Sequence, residues 1–174
     1  MNITVFCSSQ TRLGEPAYQE GMRLGRLIAS AGHTVLTGGY IGSMEAVSRG
    51  AAEAGGWVVG ITCDEIEAYR PGKANQWIHE ERRFASIRQR LFALIDGCDA
   101  AMALPGGIGT LSEVSMMWSH LQTGVISPRR LVLIGSGWYE TIHTFCQVFD
   151  AHVPERHRAL LAFASDVDAA LTMI

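Results

Sequence analysis

The stretch LPGGIGTLSE, residues 104 to 113, combines three glycines within four positions with a threonine and a glutamate. It follows a short apolar run and precedes a segment with helical periodicity. A glycine loop at the start of a helix leaves backbone N–H groups open to an anion, and the helix dipole adds to the attraction. The residues that we expect to bind a phosphate here are Gly106, Gly107, Gly109 and Thr110. The carboxylate of Glu113 would then lie beside the bound ligand.

Two further loops carry residue types suited to a phosphate. The loop in TGGYIGS, residues 37 to 43, is also rich in glycine, and FCSSQ, residues 6 to 10, supplies two hydroxyl groups. The candidate ligand-binding residues of these loops are Ser8, Ser9, Gly38, Gly39 and Gly42. No glycine loop has the Gly-Lys-Ser/Thr ending of an ATPase P-loop, and none has GxGxxG spacing after the first strand. The loops therefore indicate a phosphate or nucleotide site that belongs to neither an ATPase nor an NAD-dependent dehydrogenase.

Two arginines lie in FASIRQRLFALID, residues 84 to 96, whose apolar residues recur at helical spacing. Arg88 and Arg90 both fall outside the apolar stripe, so a solvent-exposed face is one interpretation. The other is a partner for a phosphate or a carboxylate, because the first turns of a crossover helix lie near the carboxyl edge of a parallel sheet.

The segment TLSE, residues 110 to 113, also has two interpretations. It fits a capping box, in which Thr110 caps the helix and the side chain of Glu113 returns to the Thr110 backbone N–H. It equally places Glu113 in the first turn of a helix that faces the expected ligand.

The apolar pattern predicts a scaffold that brings these loops together. Continuous apolar runs alternate with amphipathic segments, as in a parallel sheet covered on both faces. The runs are residues 3–9, 33–39, 57–63, 100–107 and 130–136, and the helical segments are 16–31, 42–54, 83–96, 110–121 and 138–150, with a last helix from Asp166. We therefore predict an α/β fold, a doubly wound parallel sheet sandwiched between helices, as a single domain over residues 1–174. The polar segment 63–82 is expected to be a loop over the sheet edge.

The order of the strands decides whether the loops meet. If the five strands follow the common order 3-2-1-4-5, the loops after the first, second and fourth strands converge at the switch point, where open α/β sheets bind ligands. These are the three loops that carry the serines and glycines described above.

Composition excludes several classes of partner. The 174 residues carry 14 Lys and Arg against 17 Asp and Glu, a net charge of −3 with no basic block, so we expect no nucleic acid partner. No apolar run approaches the roughly 20 residues of a membrane helix, and the start has no basic leader, so we expect no membrane association.

The cysteines and histidines indicate neither a disulfide framework nor a metal site. Four scattered cysteines without CxxC spacing fit buried reduced thiols, which favours the cytoplasm, and the six histidines show no ligand spacing. We expect no metal and no cofactor.

The motifs VFCSSQ, VLTGGYIGSMEAVSRGA, RQR and LPGGIGTLSE together resemble the Lonely Guy family, cytokinin-activating phosphoribohydrolases once described as lysine decarboxylases. The resemblance covers about residues 3 to 150. It implies a Rossmann-like fold, and a homodimer or larger homo-oligomer with the site near the subunit interface. It also implies a hydrolase that cleaves the N-glycosidic bond of AMP or a cytokinin riboside monophosphate to give free base and ribose 5-phosphate. By motif position, Arg90 and Glu113 match the catalytic residues.

The sequence departs from the family pattern at several positions. Thr37, Ser43 and Glu45 replace residues of the family's first glycine loop, Leu91 stands in place of a lysine, and Ser112 in place of a glutamate. A carboxylate such as Glu45 near a phosphate loop must point away from the ligand or pair with Arg49, one helical turn on.

These departures keep a second hypothesis open, a non-catalytic nucleotide-binding or molybdenum-cofactor carrier-like protein on the same fold. A pyridoxal-dependent lysine decarboxylase is disfavoured, because the Schiff base needs a lysine and the only one is Lys73, in a polar segment.

Overall fold

A parallel seven-stranded sheet runs through the centre of the molecule in a computed structural model that describes residues 1–70 and 72–174. The strand order is β4-β3-β2-β1-β5-β6-β7. In chain order the strands are β1 (Asn2–Phe6), β2 (Thr34–Thr37), β3 (Val58–Cys63), β4 (Glu80–Phe84), β5 (Ala100–Ala103), β6 (Leu131–Ile134) and β7 (Leu161–Ala164). The five apolar runs form β3, β2, β1, β5 and β6, so the order 3-2-1-4-5, on which the convergence of the three loops depended, is the order observed.

Helices cover both faces of the sheet. They are α1 (Pro16–Ser30), α2 (Ser43–Glu53), α3 (Asp64–Tyr69), α4 (Ile87–Asp96), α5 (Ile108–Thr123), α6 (Ser136–Val148), α7 (Glu155–Arg158) and α8 (Val167–Leu171), with a 3₁₀ turn at Asp150–His152. Buried residues of α1, α2 and α8 pack on one face, and those of α4, α5 and α6 pack on the other. Because both faces are covered, the central strands are apolar throughout, which is the pattern that the sequence shows.

The segment 63–82 corrects one prediction. Instead of a loop it contains α3 and most of β4, and the helix predicted from residue 83 begins only at Ile87. The strand β4 lies at the edge of the sheet and reads EERRF, so it lacks the apolar run that identifies a buried strand. Pro71, in the same predicted loop, lies outside the described residues.

All four cysteines are buried and free, as predicted. Within the two described ranges, we find no helix that combines the length and the apolar character needed to span a lipid bilayer.

Candidate active site

A cavity of about 580 Å³ opens at the carboxyl end of the sheet, and the loops after β1, β2 and β5 contribute to its walls. The predicted site residues that line it are Ser8, Ser9, Arg90, Gly107, Gly109, Thr110 and Glu113. Those that do not line it are Gly38, Gly39, Gly42, Arg88 and Gly106. The topology therefore gathers most of the predicted residues in one place, at the switch point of the sheet.

Arg90 lies in the first turn of α4 and is buried, with 7% of its surface exposed. Its Nε donates a hydrogen bond of 2.8 Å to the carbonyl oxygen of Ile61, within β3. Its Nη1 lies 3.4 Å from Oε1 of Glu113, and its Cζ lies 5.8 Å from the ring centroid of Tyr40. A buried guanidinium needs such partners, because burial of an unpaired charge is costly. The solvent-exposed interpretation is wrong for Arg90.

Arg88 lies elsewhere. Its side chain is exposed and its Cζ lies 5.9 Å from the ring centroid of Phe92, one turn along α4. The two arginines are two residues apart, so a helix turns them to different sides. The solvent-exposed interpretation thus describes Arg88.

Glu113 faces Arg90 rather than the backbone at the start of its own helix. The helix α5 begins at Ile108 with Gly107 as its N-cap, so Thr110 already lies within the first turn. The predicted capping box at Thr110 and Glu113 is therefore wrong, because the chain becomes helical three residues earlier than that motif requires. A capping box is present instead at the start of α4, between Ser86 and Gln89.

The side chain of Glu113 exposes only 12% of its surface. Burial raises the pKa of its carboxyl group to about 7, and the charge of Arg90 opposes this rise. Burial also raises the pKa of the nearby Cys7 thiol, and the Glu113 charge adds to that effect. Near neutral pH, Glu113 can therefore exchange a proton with a ligand or a water molecule.

The glycines after β5 shape the cavity in two ways. A Cβ at Gly106 would lie 2.1 Å from Oγ1 of Thr110, so this glycine makes room for the protein itself. At Gly107 and Gly109 a Cβ would meet no atom within 4 Å, and both residues line the cavity. The N-terminus of α5 is thus open to a ligand.

The glycines after β2 support the site from outside the cavity. A Cβ at Gly38 would lie 1.9 Å from Nη2 of Arg90, so a side chain at this position would displace the guanidinium from its present place. Gly42 has φ = +79°, and a Cβ there would lie 2.6 Å from the carbonyl oxygen of Ser8. These close approaches bring the first glycine loop against Arg90 and the β1 loop.

Tyr40, from the same loop, is fixed by the backbone of β3. Its hydroxyl donates to the carbonyl oxygen of Cys63 at 3.0 Å and accepts from the N–H of Cys63 at 2.8 Å. The phenol ring is thereby held near the guanidinium of Arg90.

Glu45 does not line the cavity. Arg49 pairs with Glu53 at 2.7 Å. Of the two arrangements that the sequence allowed for Glu45, the structure therefore shows the one in which this carboxylate stays away from the ligand.

Sequence reasoning missed the residues that α3 contributes to the cavity, Ile66, Tyr69 and Arg70. The guanidinium Nη1 of Arg70 donates a hydrogen bond of 2.9 Å to Oγ of Ser9. No helical residue of α3 is buried, so the apolar periodicity that reveals other helices is absent here.

Across residues 1–70 and 72–174, no three His, Cys, Asp or Glu side chains are grouped in a way that could hold a metal ion.

A protein-family model described as the SLOG cluster4 family matches residues 1–139. The chain belongs to this family. This SLOG cluster4 chain is 30% identical over 169 residues to a probable cytokinin riboside 5'-monophosphate phosphoribohydrolase of Oryza sativa subsp. japonica, across 94% of the chain and 73% of the relative. It is 26% identical over 178 residues to a cytokinin riboside 5'-monophosphate phosphoribohydrolase of Rhodococcoides fascians, across 99% of the chain and 88% of the relative. The resemblance to the Lonely Guy family is confirmed.

Solved structures show the same fold for this SLOG cluster4 member. The molybdenum cofactor binding protein of Rippkaea orientalis superposes with a TM-score of 0.76 and 22% identity, over 99% of this chain and 93% of that one. The molybdenum cofactor carrier protein of Chlamydomonas reinhardtii gives a TM-score of 0.73 and 24% identity, over 99% and 94%. At these identities the likeness concerns the fold.

Proposed function

We propose that this protein hydrolyses the N-glycosidic bond of a nucleoside 5'-monophosphate, AMP or a cytokinin riboside monophosphate, and releases the free base and ribose 5-phosphate. One observation carries the proposal. The largely buried Glu113, paired with Arg90, shares a cavity with the open N-terminus of α5. A carboxylate and a phosphate-binding helix end in one cavity suit the two ends of a ribose 5-phosphate group. The named activity of the relatives from Oryza sativa and Rhodococcoides fascians supports the same reaction.

The phosphate would bind at Gly107, Gly109 and Thr110, where backbone N–H groups and the helix dipole favour an anion. Such binding holds the ribose in a fixed position, which removes part of the entropic barrier to reaction. The supporting loops that contribute Ser8, Gly38, Gly39, Gly42 and Gly106 keep this geometry in place.

The C1'–N bond would break with oxocarbenium character on the ribose, and the Glu113 carboxylate would stabilise that charge. The base leaves with the bonding electron pair, and a water molecule adds to C1' and gives a proton to Glu113. That proton then passes to the base, directly or through solvent, which regenerates the carboxylate. Arg90 keeps the carboxylate oriented through the contact of 3.4 Å. Water is the only co-reactant, so we expect no cofactor.

The test is incubation of the pure protein with AMP and with isopentenyl-AMP, with chromatographic detection of free base. We expect base release by the wild type, and a rate at least about 100-fold lower in Glu113→Gln, which keeps the shape but cannot accept a proton. Arg88→Gln, outside the cavity, is the matched control and should retain activity.

Bound nucleotide without base release would contradict the hydrolase and favour the carrier alternative. Calorimetric titration with AMP separates that outcome from a failure to bind. The structural likeness to the molybdenum cofactor proteins gives this alternative a shared fold.

We also infer a homodimer or larger homo-oligomer. Apolar side chains at the end of α6 are exposed, with Phe145 at 43%, Val148 at 68% and Phe149 at 47%. Phe145 and Phe149 line one groove together with Trp118 and Val153. A continuous apolar surface of this kind is typical of a subunit interface.

The four buried free thiols fit a reducing compartment, so we infer that the protein acts in the cytoplasm.

A further inference from the structure

Arg70 brings a second guanidinium to the cavity from an element that the sequence did not reveal. It follows α3 directly, and its backbone N–H donates to the carbonyl oxygen of Ile66 at 2.8 Å. Its side chain extends from the end of α3 to the loop after β1, where Nη1 donates to Oγ of Ser9. Arg70 and Ser9 both line the cavity, as does the open N-terminus of α5. A ligand bound at that helix end therefore shares the cavity with Arg70.

The two arginines that line the cavity differ in their partners. Arg90 is occupied by the carbonyl oxygen of Ile61 and by the carboxylate of Glu113. Among the described residues, no carboxylate oxygen lies within 4.0 Å of the Arg70 guanidinium, whose side-chain acceptor is the neutral hydroxyl of Ser9. A guanidinium has five N–H donors, so Arg70 keeps donors for an anion.

The helix α3 is held in place by charged contacts. Nη1 and Nη2 of Arg83, on β4, donate to the two carboxylate oxygens of Glu67 at 2.8 Å each, and Nε donates to Asp64 at 2.7 Å. Oε2 of Glu65 accepts from the backbone N–H of Ile87 at 2.8 Å, which ties α3 to the start of α4. These contacts fix the helix that directly precedes Arg70, and Arg70 itself lies outside this ion-pair network.

We propose that Arg70 binds the 5'-phosphate of the substrate and makes the site selective for a nucleoside monophosphate over the corresponding nucleoside; this rests on the proposed function. On binding, a phosphate oxygen replaces the Ser9 hydroxyl as the acceptor of Nη1. A phosphate carries close to two negative charges, which the partial positive charge of one helix end does not neutralise. The planar fork of an arginine suits two phosphate oxygens at once.

The experiment measures the dissociation constants of AMP and adenosine by calorimetry for the wild type, Arg70→Gln, Arg70→Lys and Arg88→Gln. For Arg70→Gln we expect the Kd of AMP to rise about 10-fold to 100-fold, as for the loss of a charge-assisted hydrogen bond, while the Kd of adenosine changes less than about twofold. Arg70→Lys should lie between Arg70→Gln and the wild type, because it keeps the charge but not the fork. Arg88→Gln should bind AMP as the wild type does.

In the hydrolysis assay, the loss should appear in KM with kcat nearly unchanged, because Arg70 contacts the phosphate and not the scissile bond. Equal weakening of AMP and adenosine, or no weakening of AMP, would overturn the proposal. Circular dichroism and thermal melting of each variant identify a folding defect. If Arg70→Gln does not fold, the Kd values of Arg70→Lys for AMP and adenosine test the proposal.

The outcomes separate this inference from the proposed function. If the protein releases base from AMP and Arg70→Gln changes neither the KM nor the Kd for AMP, the role of Arg70 is overturned and the hydrolase is retained. Binding of AMP that depends on Arg70, without base release, would support the role of Arg70 and contradict the hydrolase. A wild-type protein that does not bind AMP would contradict both.

Discussion

The carboxyl group of Glu113 experiences two opposing effects on its pKa. Burial favours the neutral form and is the larger effect, while the charge of Arg90 favours the carboxylate. The result, a pKa of about 7, places the group where it can act as a proton acceptor at physiological pH. A fully exposed glutamate has a lower pKa, so its carboxylate would be a weaker proton acceptor near neutral pH.

This pKa predicts the pH dependence of the proposed reaction. If the carboxylate is the active form, kcat/KM for AMP should rise with pH, reach half of its maximum near pH 7 and level off above it. Initial rates of base release between pH 5 and pH 9 measure this curve. Arg90→Gln removes the charge that lowers the pKa of Glu113, so the rise in its residual activity should move to higher pH.

Arg88→Gln is the control, and its pH curve should coincide with that of the wild type. A rate that is independent of pH across this range would contradict the assignment of Glu113 as the proton acceptor.

Arg90 also shows where sequence reasoning at the residue scale reaches its limit. Its motif and helix were visible in the sequence, and both were predicted. Whether an arginine outside the apolar stripe is exposed or buried depends on what the rest of the fold places beside it, here the carbonyl oxygen of Ile61 and the ring of Tyr40. Arg88 has the same local signal and the opposite environment.

At the scale of elements, the first turn of α5 separates two functions of glycine. Gly106 makes room for the side chain of Thr110, whereas Gly109 opens directly into the cavity. A change at Gly109 can therefore affect the ligand without disturbing the packing of the protein.

Gly109→Ala should stabilise the protein and weaken ligand binding. Because a Cβ at this helical position meets no protein atom within 4 Å, alanine should raise the free energy of unfolding by about 0.5 to 1 kcal/mol. The added methyl group should narrow the phosphate site and raise the Kd of AMP. Chemical denaturation and calorimetry measure the two effects.

The matched control is Gly137→Ala in α6, where a Cβ also meets no atom within 4 Å and the residue does not line the candidate site. It should change the unfolding free energy in the same direction and leave the Kd of AMP unaltered. Equal AMP affinity in both variants would argue against phosphate binding at the start of α5.

Sequence reasoning missed the strands β4 and β7 and the helices α3 and α7. The strand β7 is apolar but only four residues long, LAFA, and α7 is equally short, whereas β4 and α3 lack an apolar signal. Five buried strands were predicted because they read as apolar runs, but β4 is charged and α3 has no buried helical residue. The capping box was assigned to Thr110 because the motif fits there, yet the glycines let the helix begin at Ile108. Contacts between residues distant in the sequence determine the secondary structure of these segments, and the local sequence pattern does not indicate such contacts.

At the scale of the whole molecule, the strand order creates the candidate site. Because β1 lies between β2 and β5, the loops after these three strands meet at one end of the sheet. The convergence could be predicted, since the order 3-2-1-4-5 is common among doubly wound sheets. The contribution of α3 could not, because it depends on the packing of an edge strand.

The inferred homodimer can be tested by sedimentation. We expect the wild type to sediment with at least twice the chain mass of 18.9 kDa. Replacing Phe145 and Phe149 by glutamate should shift the population towards the monomer, since two charges would be buried at the interface. Glutamate at Trp57, which is 52% exposed directly before β3 and does not line the candidate site, is the control and should not change the mass. A wild-type monomer at micromolar concentration would contradict the homodimer.

The charged edge strand β4 has a consequence for how the protein behaves at high concentration. Its residues Glu80, Glu81, Arg82 and Arg83 occupy a border of the sheet where an extended chain from another molecule could otherwise add by backbone hydrogen bonds. Arg82 pairs with Glu80 at 2.6 Å within the strand, and an incoming apolar strand would have to desolvate these charges. Fibrillar growth from this border is therefore disfavoured, even though the sheet behind it is apolar enough to aggregate.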